Sequence, residues 1–418
     1  MTTQAAGYRD VFAVAEFRRL WFAHVLSVAG DQLARVALTV LVFDRTASAG
    51  LAALTYAVTY LPDLVGGATL GGLADHYPRR TVMVLADVGR AGLVAVMAVP
   101  GVPLLAQVGL LAVVQLLAVP FATARQAVLP DVLAGDELTV GLGVFAMTYQ
   151  AGLVIGFGGG AAVVAGLGTS GALWVDAATF AVSAAVIRFG LRPHAPRGSS
   201  SAQGTWAKVR AGWRVVADDG RLRSLLALAC CSGWYVVPEG LAVPYAAQIG
   251  GGPAAVGWLL AANPVGMVAG MVLLKRVPPS RRLRLLGPLA VATSLVLLPT
   301  GWAPGLAVTV VLWMVSGACS AHNMIVQAAY VTTVPEALRG RAVGVAMAAL
   351  RAAQGLAIVL AGLAAQFLPP SLVITAAAAA GVLAATVAAG AWSRATSRAA
   401  SSAPAPQRRD EADDDVSG

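Results

Sequence analysis

The segment LPDVLAG at residues 129–135 is repeated as VPEALRG at residues 334–340, 205 positions later. Two further matches keep nearly the same offset. The basic pair at 79–80 corresponds to the pair at 281–282, and RRLWFAHVLS from residue 18 corresponds to RSLLALACCS from residue 223. Three matches in the same order indicate a duplicated unit, so the chain is expected to fold as two similar halves.

The residues around these repeats are too apolar for a soluble protein. Of 418 residues, 58% are hydrophobic and 12% are charged, against about 25% charged in an ordinary soluble domain. Apolar runs of about 20 residues recur along the chain, and each is long enough to cross the roughly 30 Å of bilayer hydrocarbon. A membrane β-barrel would show short alternating segments instead. The chain is therefore predicted to be an all-α membrane protein.

Charged, Pro and Gly breaks divide the apolar runs into twelve predicted spans. The first six lie at about 19–43, 48–74, 81–99, 103–129, 137–163 and 168–190, and the second six at about 222–249, 253–274, 283–300, 303–333, 341–367 and 370–393. Parallel repeats of six spans place a central cavity between the halves. The predicted parts are an N-terminal half (1–190), a cytoplasmic linker with an amphipathic helix (191–220), a C-terminal half (221–393) and a disordered cytoplasmic tail (394–418).

The basic residues indicate the orientation of these spans. Of the 29 Lys and Arg residues, 24 fall on the side of the chain termini and one, Arg45, falls opposite. By the positive-inside rule, both termini are expected in the cytoplasm and the protein in the plasma (inner) membrane. The net charge of +9 is spread over short loops rather than gathered on one soluble face, so no nucleic-acid partner is predicted. No removable signal peptide is expected, because residues 9–19 carry charges and no cleavage pattern.

The loop after the second span reads GGLADHYPRR at 71–80. It resembles the cytoplasmic loop signature of the major facilitator superfamily, G-x-L-A-D-R-x-G-R-R, with His76 and Pro78 in place of the usual Arg and Gly. The resemblance implies a gating latch in which the acid faces the positive end of a helix in the other half and the arginines pair with carboxylates. Its residues are Gly71, Asp75, Arg79 and Arg80. The alternative is a turn whose arginines only set the topology.

The fifth span carries glycines that resemble the antiporter motif of the superfamily's drug exporters, namely Gly143, Gly152, Gly156 and Gly160. Phe157 stands where that motif has its Pro, which removes the expected kink. The alternative is a glycine face that lets two helices pack closely. Over residues 8–393 the order of motifs looks most like the macrolide-efflux branch. That resemblance implies twelve helices in two six-helix bundles and a proton-coupled exporter of hydrophobic compounds.

Three carboxylates lie within predicted spans, where each costs about 2.5–3.5 kcal/mol to insert. Asp31 shares a helix face with Arg35, which we predict to be its partner. Asp63 and Glu239 lack such a partner on their own helices, and an unpaired buried acid favours its protonated form. Asp63 and Glu239, with Asp31 third, are therefore the candidates for proton coupling. Asp87 and Arg90 are expected to pair, and Asp176 is expected at the membrane interface.

Polar stripes predict the surface of the cavity. The tenth span has five polar residues at alternating steps of four and three, from Ser316 to Tyr330, and the alternative role of such a stripe is hydrogen bonding between helices. The second and seventh spans place tyrosines in line with their acids. The candidates for contact with cargo are Tyr56, Tyr60, Tyr235, Ser320, Asn323, Gln327 and Tyr330.

Export of neutral or cationic apolar compounds by proton antiport is the function these features favour. The alternatives are a nutrient or metabolite uptake transporter of the same fold and a membrane receptor or scaffold that does not transport. The sequence offers no phosphate-binding glycine loop with Lys and no metal-ligand cluster, so no enzyme activity, cofactor or metal is predicted. The expected partners are the small-molecule cargo, protons and the lipid bilayer, and the chain is expected to act as a monomer.

Overall fold

The computed structural model describes residues 7–60, 66, 70, 73–193, 205–335 and 338–401. All regular elements in these ranges are helices. The helices of the N-terminal half are Tyr8–Ala13, Ala15–Thr46, Ala49–Val58, Leu73–His76, Arg79–Ala98, Leu104–Val132 and Asp136–Gly190. Those that follow are Thr205–Asp218, Gly220–Cys230, Ser232–Tyr235, Val237–Gly240, Ala242–Gln248, Pro253–Lys275, Pro279–Leu295, the 3-10 turn Leu298–Trp302, Leu306–Ser320, His322–Thr333, Arg339–Ala364 and Pro370–Ser401.

The helices account for the predicted spans. Within the described residues, nine helices are long and apolar enough to cross a membrane, and a bent pair, Gly220–Gly240 with Ala242–Gln248, makes a tenth span broken by 47°. The 55-residue run Asp136–Gly190 would be about 80 Å long if straight. It turns at Gly168, whose φ of +69° needs glycine, and so contains the fifth and sixth spans. Ala49–Val58 begins the second span. Together with the two spans in Asp136–Gly190, these helices are consistent with twelve spans.

One face of the N-terminal half gathers the ends of several helices. Arg19, at the start of the first span, donates a 2.8 Å hydrogen bond to the carbonyl oxygen of Gly190, at the end of the sixth. Arg80, at the start of the third, donates to the carbonyl oxygen of Leu191 at 3.1 Å. We call this side the terminal face and the other the opposite face. It is the terminal face that the basic residues predict to be cytoplasmic.

The two halves meet toward the opposite face. A Cβ added to Gly257, in the eighth span, would lie 2.7 Å from Cβ of Ala161, near the end of the fifth span. A Cβ on Gly50, at the start of the second span, would lie 2.9 Å from the carbonyl oxygen of Gly362, near the end of the eleventh. Both glycines therefore allow close approach of helices from different halves at their opposite-face ends.

The linker and the tail carry helices as well. Thr205–Asp218 packs against the eleventh span, and its Val216 is buried in the core of the C-terminal half. The last helix continues to Ser401, so the tail predicted from residue 394 as disordered begins with helix. Its alanine-rich sequence continues past residue 393, and alanine has the highest helix propensity of all residues, which the prediction from loss of hydropathy overlooked.

Candidate transport cavity

A cavity of about 470 Å³ lies between the two halves. Both halves contribute polar side chains to its wall. Those from the N-terminal half are Asp31, Gln32, Arg35, Thr59, Tyr60, Gln115, Tyr149 and Gln150, and those from the C-terminal half are Ser232, Tyr235, Glu239, Asn263, Ser320, Asn323, Gln327, Tyr330, Arg351 and Gln354. The volume is within the range of sites for drug-sized molecules.

Most of the cavity residues expected from the sequence are brought together here. Six of the seven line the wall, namely Tyr60, Tyr235, Ser320, Asn323, Gln327 and Tyr330. Tyr56 is buried behind the wall, with its ring centroid 6.1 Å from that of Tyr60. Ser316, at the other end of the predicted stripe, is buried and donates to the carbonyl oxygen of Thr293 at 2.7 Å. That end of the stripe bonds helix to helix instead of facing the cavity.

Glu239, in the cavity wall, and Tyr56, buried behind it, join the two halves. The Tyr56 hydroxyl, on the second span, donates a 3.0 Å hydrogen bond to Oε2 of Glu239, on the seventh. The Arg35 guanidinium lies 5.3 Å from the centroid of the Tyr56 ring and 5.7 Å from that of Tyr60. Within the described residues, Glu239 forms no ion pair within 4 Å.

The break in the seventh span positions Glu239. The helix is interrupted after Cys230, after Tyr235 and again after Gly240, where the chain bends by 47°. Pro238 cannot donate a backbone hydrogen bond, which favours the break. A Cβ on Gly240 would lie 2.5 Å from a side-chain carbon of Ile358, so the broken segment approaches the eleventh span closely. Non-helical backbone at this depth is tolerated where it lines a cavity, as here.

The predicted pairing of Asp31 with Arg35 is wrong. Asp31 pairs with Arg90, which comes from the third span. Arg90 also donates to Oγ of Ser27 at 2.9 Å and to Asp87 at 3.3 Å. Arg35 instead extends over tyrosine rings of the second span. Helical spacing placed Arg35 within reach of Asp31, but the fully buried Arg90 lies against the same helix face and binds two acids at once.

Asp176, which its position near the end of a span suggested to be an interfacial residue, is enclosed by the protein. It is fully buried in the sixth span, facing the first span at Gly30. Its Oδ2 atom has no hydrogen-bond partner within the described residues. Asp63, the other proton-coupling candidate, lies outside the described residues.

The predicted latch is described in part. Arg79 pairs with Asp131 of the repeated LPDVLAG segment and donates to the carbonyl oxygen of Ala127 at 2.9 Å. Arg80 bonds Leu191. Both arginines thus tie the third span to its own half. Gly71 and the Asp75 side chain lie outside the described part of the chain, so the latch itself stays a prediction.

Three of the four predicted packing glycines lie against the first span. Added Cβ atoms on Gly152 and Gly156 would lie 2.5 Å from Val28 Cγ1 and 2.7 Å from Gln32 Cβ. One on Gly160 would make an ordinary contact at 3.5 Å with Leu33. Gly143 has open space around it. The motif-like spacing therefore coincides with a close contact between two helices of the same half.

The cavity also contains residues that the sequence analysis did not select. Asn263 is an isolated polar residue in the otherwise apolar eighth span, a signal that could have identified it. Gln115 is one of several polar residues in the fourth span, so its position alone did not distinguish it. The side-chain amide of Gln150, on the fifth span, donates a 3.0 Å hydrogen bond to Sδ of Met267 in the other half. Arg351 lies with its guanidinium 5.7 Å from the Tyr60 centroid. Within the described residues, no three His, Cys, Asp or Glu side chains are placed to hold a metal ion.

Comparison with known proteins identifies the fold. The model of the Major Facilitator Superfamily matches residues 20–238. The chain belongs to this superfamily. It is 30% identical over 370 residues to the multidrug efflux pump Tap of Mycobacterium tuberculosis, covering 82% of this chain and 85% of Tap. It is 29% identical over 367 residues to Tap of Mycolicibacterium fortuitum, covering 82% of this chain and 87% of that one.

Solved transporter structures show the same fold. The nucleoside transporter NupG superposes with a TM-score of 0.75 at 13% identity, covering 90% of this chain and all of NupG. A POT family transporter in complex with 5-aminolevulinic acid superposes with a TM-score of 0.71 at 11% identity, covering 91% and 96%. At these identities the likeness concerns the fold. Because the chain belongs to this superfamily, the protein is a multi-pass membrane transporter of small molecules rather than an enzyme.

Proposed function

We propose that this transporter exports small hydrophobic or cationic organic compounds by proton antiport through alternating access. The observation that carries the proposal is the hydrogen bond between Tyr56 and Glu239. It places a carboxyl group, which forms no ion pair within the described residues, at the cavity and on the boundary between the halves.

The shape of the cavity supports loading from the cytoplasm. Its wall extends to Tyr330 and Val331, at the end of the tenth span, and to Val343, at the start of the eleventh. These positions are near the terminal face, whereas the helices of the two halves meet toward the opposite face. With both termini in the cytoplasm, as we propose, this is the inward-facing arrangement in which an exporter takes up its cargo.

Glu239 is the coupling group that this geometry favours. Coupling needs an acid whose surroundings change as the halves rock. The hydrogen bond of Glu239 crosses from one half to the other, so rocking would stretch or break it. Asp31 is paired with Arg90 of its own half, and that partner would move with it. Asp63 remains a second candidate on the sequence argument alone.

The cavity wall suits apolar and cationic cargo. Four tyrosines line it, together with leucine, valine, methionine and Phe157. The Arg35 guanidinium lies over the rings of Tyr56 and Tyr60 in cation–π contacts. Aromatic ring faces attract organic cations in the same way. The similarity to a multidrug efflux pump supports export rather than uptake. We further propose that the chain acts as a monomer in the plasma membrane, because the cavity is complete within one chain.

Transport by inverted membrane vesicles tests this proposal. Vesicles containing the protein should accumulate hydrophobic or cationic dyes when the interior is acidified, and accumulation should stop when the pH difference is abolished. The Glu239→Gln variant should lose the response to the gradient. Accumulation that depends on the opposite gradient, or only on added sodium, would contradict proton-driven export.

A further inference from the structure

Three carboxyl groups surround one arginine inside the N-terminal half, outside the Tyr56–Glu239 contact. Arg90, on the third span, pairs with Asp31 of the first span and with Asp87 of its own span. Its guanidinium carbon lies 3.9 Å from the centroid of the Phe180 ring, on the sixth span. The third carboxyl group, Asp176, comes from that same sixth span and interacts electrostatically with both Asp31 and Arg90.

Within the described residues, Asp176 is the member of this cluster that forms no ion pair. It is 0% exposed. The Thr179 hydroxyl donates its proton to the backbone carbonyl oxygen of Asp176 at 2.8 Å and lies 3.4 Å from Oδ1 of the carboxyl group. The Oδ2 atom of Asp176 has no partner in the described part of the chain. Gly30 leaves the space that Asp176 occupies, because a Cβ there would lie 2.3 Å from Oδ1.

The charges do not balance if all three acids are ionised. Asp87 is satisfied by Arg90 and by a 2.5 Å hydrogen bond from the Ser183 hydroxyl. Of the neighbouring basic groups on the first span, Arg35 lies over Tyr56 and Tyr60, and His24 contacts Arg125 of the fourth span. Within the described residues Arg35 forms no ion pair with the cluster, although it attracts Asp31 from a distance. Even with both guanidinium groups counted, three carboxylates would leave one negative charge in the interior. An unpaired buried ion costs several kcal/mol, and the group becomes neutral instead.

We propose that Asp31, Asp87, Asp176 and Arg90 form a proton-binding site in the N-terminal half, with the proton on Asp176 in this conformation. Asp31 lines the cavity and has a side chain that is 20% exposed, so it connects the buried site with the cavity. The site is separate from Glu239, which belongs to the other half, and its existence does not depend on the proposed direction of transport. It adds a second titratable position to the transporter.

Infrared spectroscopy of the full-length protein in lipid vesicles tests this site directly. At pH 7 the wild-type protein should show the carbonyl band of a protonated carboxyl group, and Asp176→Asn should remove it. Thr179→Val should shift the band without removing it, because it deletes the hydroxyl bonded to Asp176. Asp136→Asn, which changes an exposed acid at the start of a helix, is the matched control and should leave the band unchanged.

Two outcomes would overturn the proposal. One is a spectrum of Asp176→Asn that still contains the whole band, and the other is a wild-type band that disappears on adding sodium at constant pH, which would make this a sodium site. Glu239→Gln, measured in parallel, reports on the carboxyl group of the proposed export mechanism. Its band can be present or absent without affecting the band of Asp176, so failure of either proposal is recognised separately.

Discussion

The hydroxyl of Tyr56 in the N-terminal half lies 3.0 Å from Oε2 of Glu239 in the C-terminal half, and this hydrogen bond crosses the boundary along which the halves must move. An interaction of this kind stabilises the conformation in which its partners meet and is lost in the other. Its presence or absence therefore changes the relative populations of the two access states.

Removing the Tyr56 hydroxyl should favour the conformation open at the opposite face. Tyr56→Phe keeps the ring and deletes a hydrogen bond of about 1 kcal/mol, which corresponds to an approximately fivefold change in population. The measurement uses a background in which the three native cysteines are replaced. In it, Ala53→Cys places a single cysteine at a buried position of the interface between the halves, and its rate of labelling by a water-soluble maleimide is recorded. Tyr245→Phe is the control, because the Tyr245 hydroxyl bonds Thr309 within one half at 2.9 Å. Equal labelling rates in both variants would show that the contact does not hold the halves.

Gradient-driven export should depend on Glu239 more than on Asp31. In vesicles with an imposed pH difference, Glu239→Gln should abolish the dependence on the gradient while cargo still binds, and Asp31→Asn should reduce the rate but keep the dependence. Asp63→Asn, tested beside them, decides whether the second span shares the role. If Asp31→Asn alone removed the gradient dependence, the coupling group would belong to the first span.

Arg90 should be needed for stability. Arg90→Met leaves Asp31 and Asp87 without their partner, and breaking a buried ion pair costs about 3–5 kcal/mol. The variant should unfold at a clearly lower temperature in detergent, and the double variant Arg90→Met/Asp31→Asn should recover part of the loss. Arg210→Met, at an exposed position of the linker helix, should change little. An unchanged melting temperature for Arg90→Met would mean that the cluster contributes nothing to folding.

The fifth-span glycines should differ in their tolerance of a methyl group. Gly156→Ala places Cβ 2.7 Å from Gln32 Cβ, and relieving such overpacking costs about 1–3 kcal/mol. Gly143→Ala meets nothing within 4 Å and, in a helix, should be neutral or slightly stabilising. Thermal unfolding of the two variants gives the comparison. The opposite order of stabilities would contradict the close contact between the first and fifth spans.

Both termini should be found in the cytoplasm. The prediction rests on the concentration of loop Lys and Arg residues on the terminal face, which the positive-inside rule places inward. Reporter domains fused at each end, one active only in the cytoplasm and one active only outside, provide the measurement. A C-terminal fusion active outside would invert the proposed orientation of the cavity.

The sequence by itself determined the number of halves, the position of most spans and the polar stripe of the tenth span. These features follow from properties of single segments: the length of an apolar run, its repetition 205 residues later, and the 3.6-residue period that puts Ser320, Asn323 and Gln327 on one helix face. Tyr235 and Glu239 also both line the cavity, although the seventh span is interrupted between them.

Only the tertiary structure decided which faces meet. Spacing along the first span made Arg35 a possible partner of Asp31, yet Asp31 pairs with Arg90 from the third span. Asp176 is buried against Gly30, a contact that its own span did not indicate. Gln115 and Asn263 reach the cavity from opposite halves, although neither belongs to a polar stripe identified in the sequence. The physical reason is that helical periodicity fixes the direction of a side chain relative to its own helix axis, while the charge or space it finds there comes from helices distant in the chain.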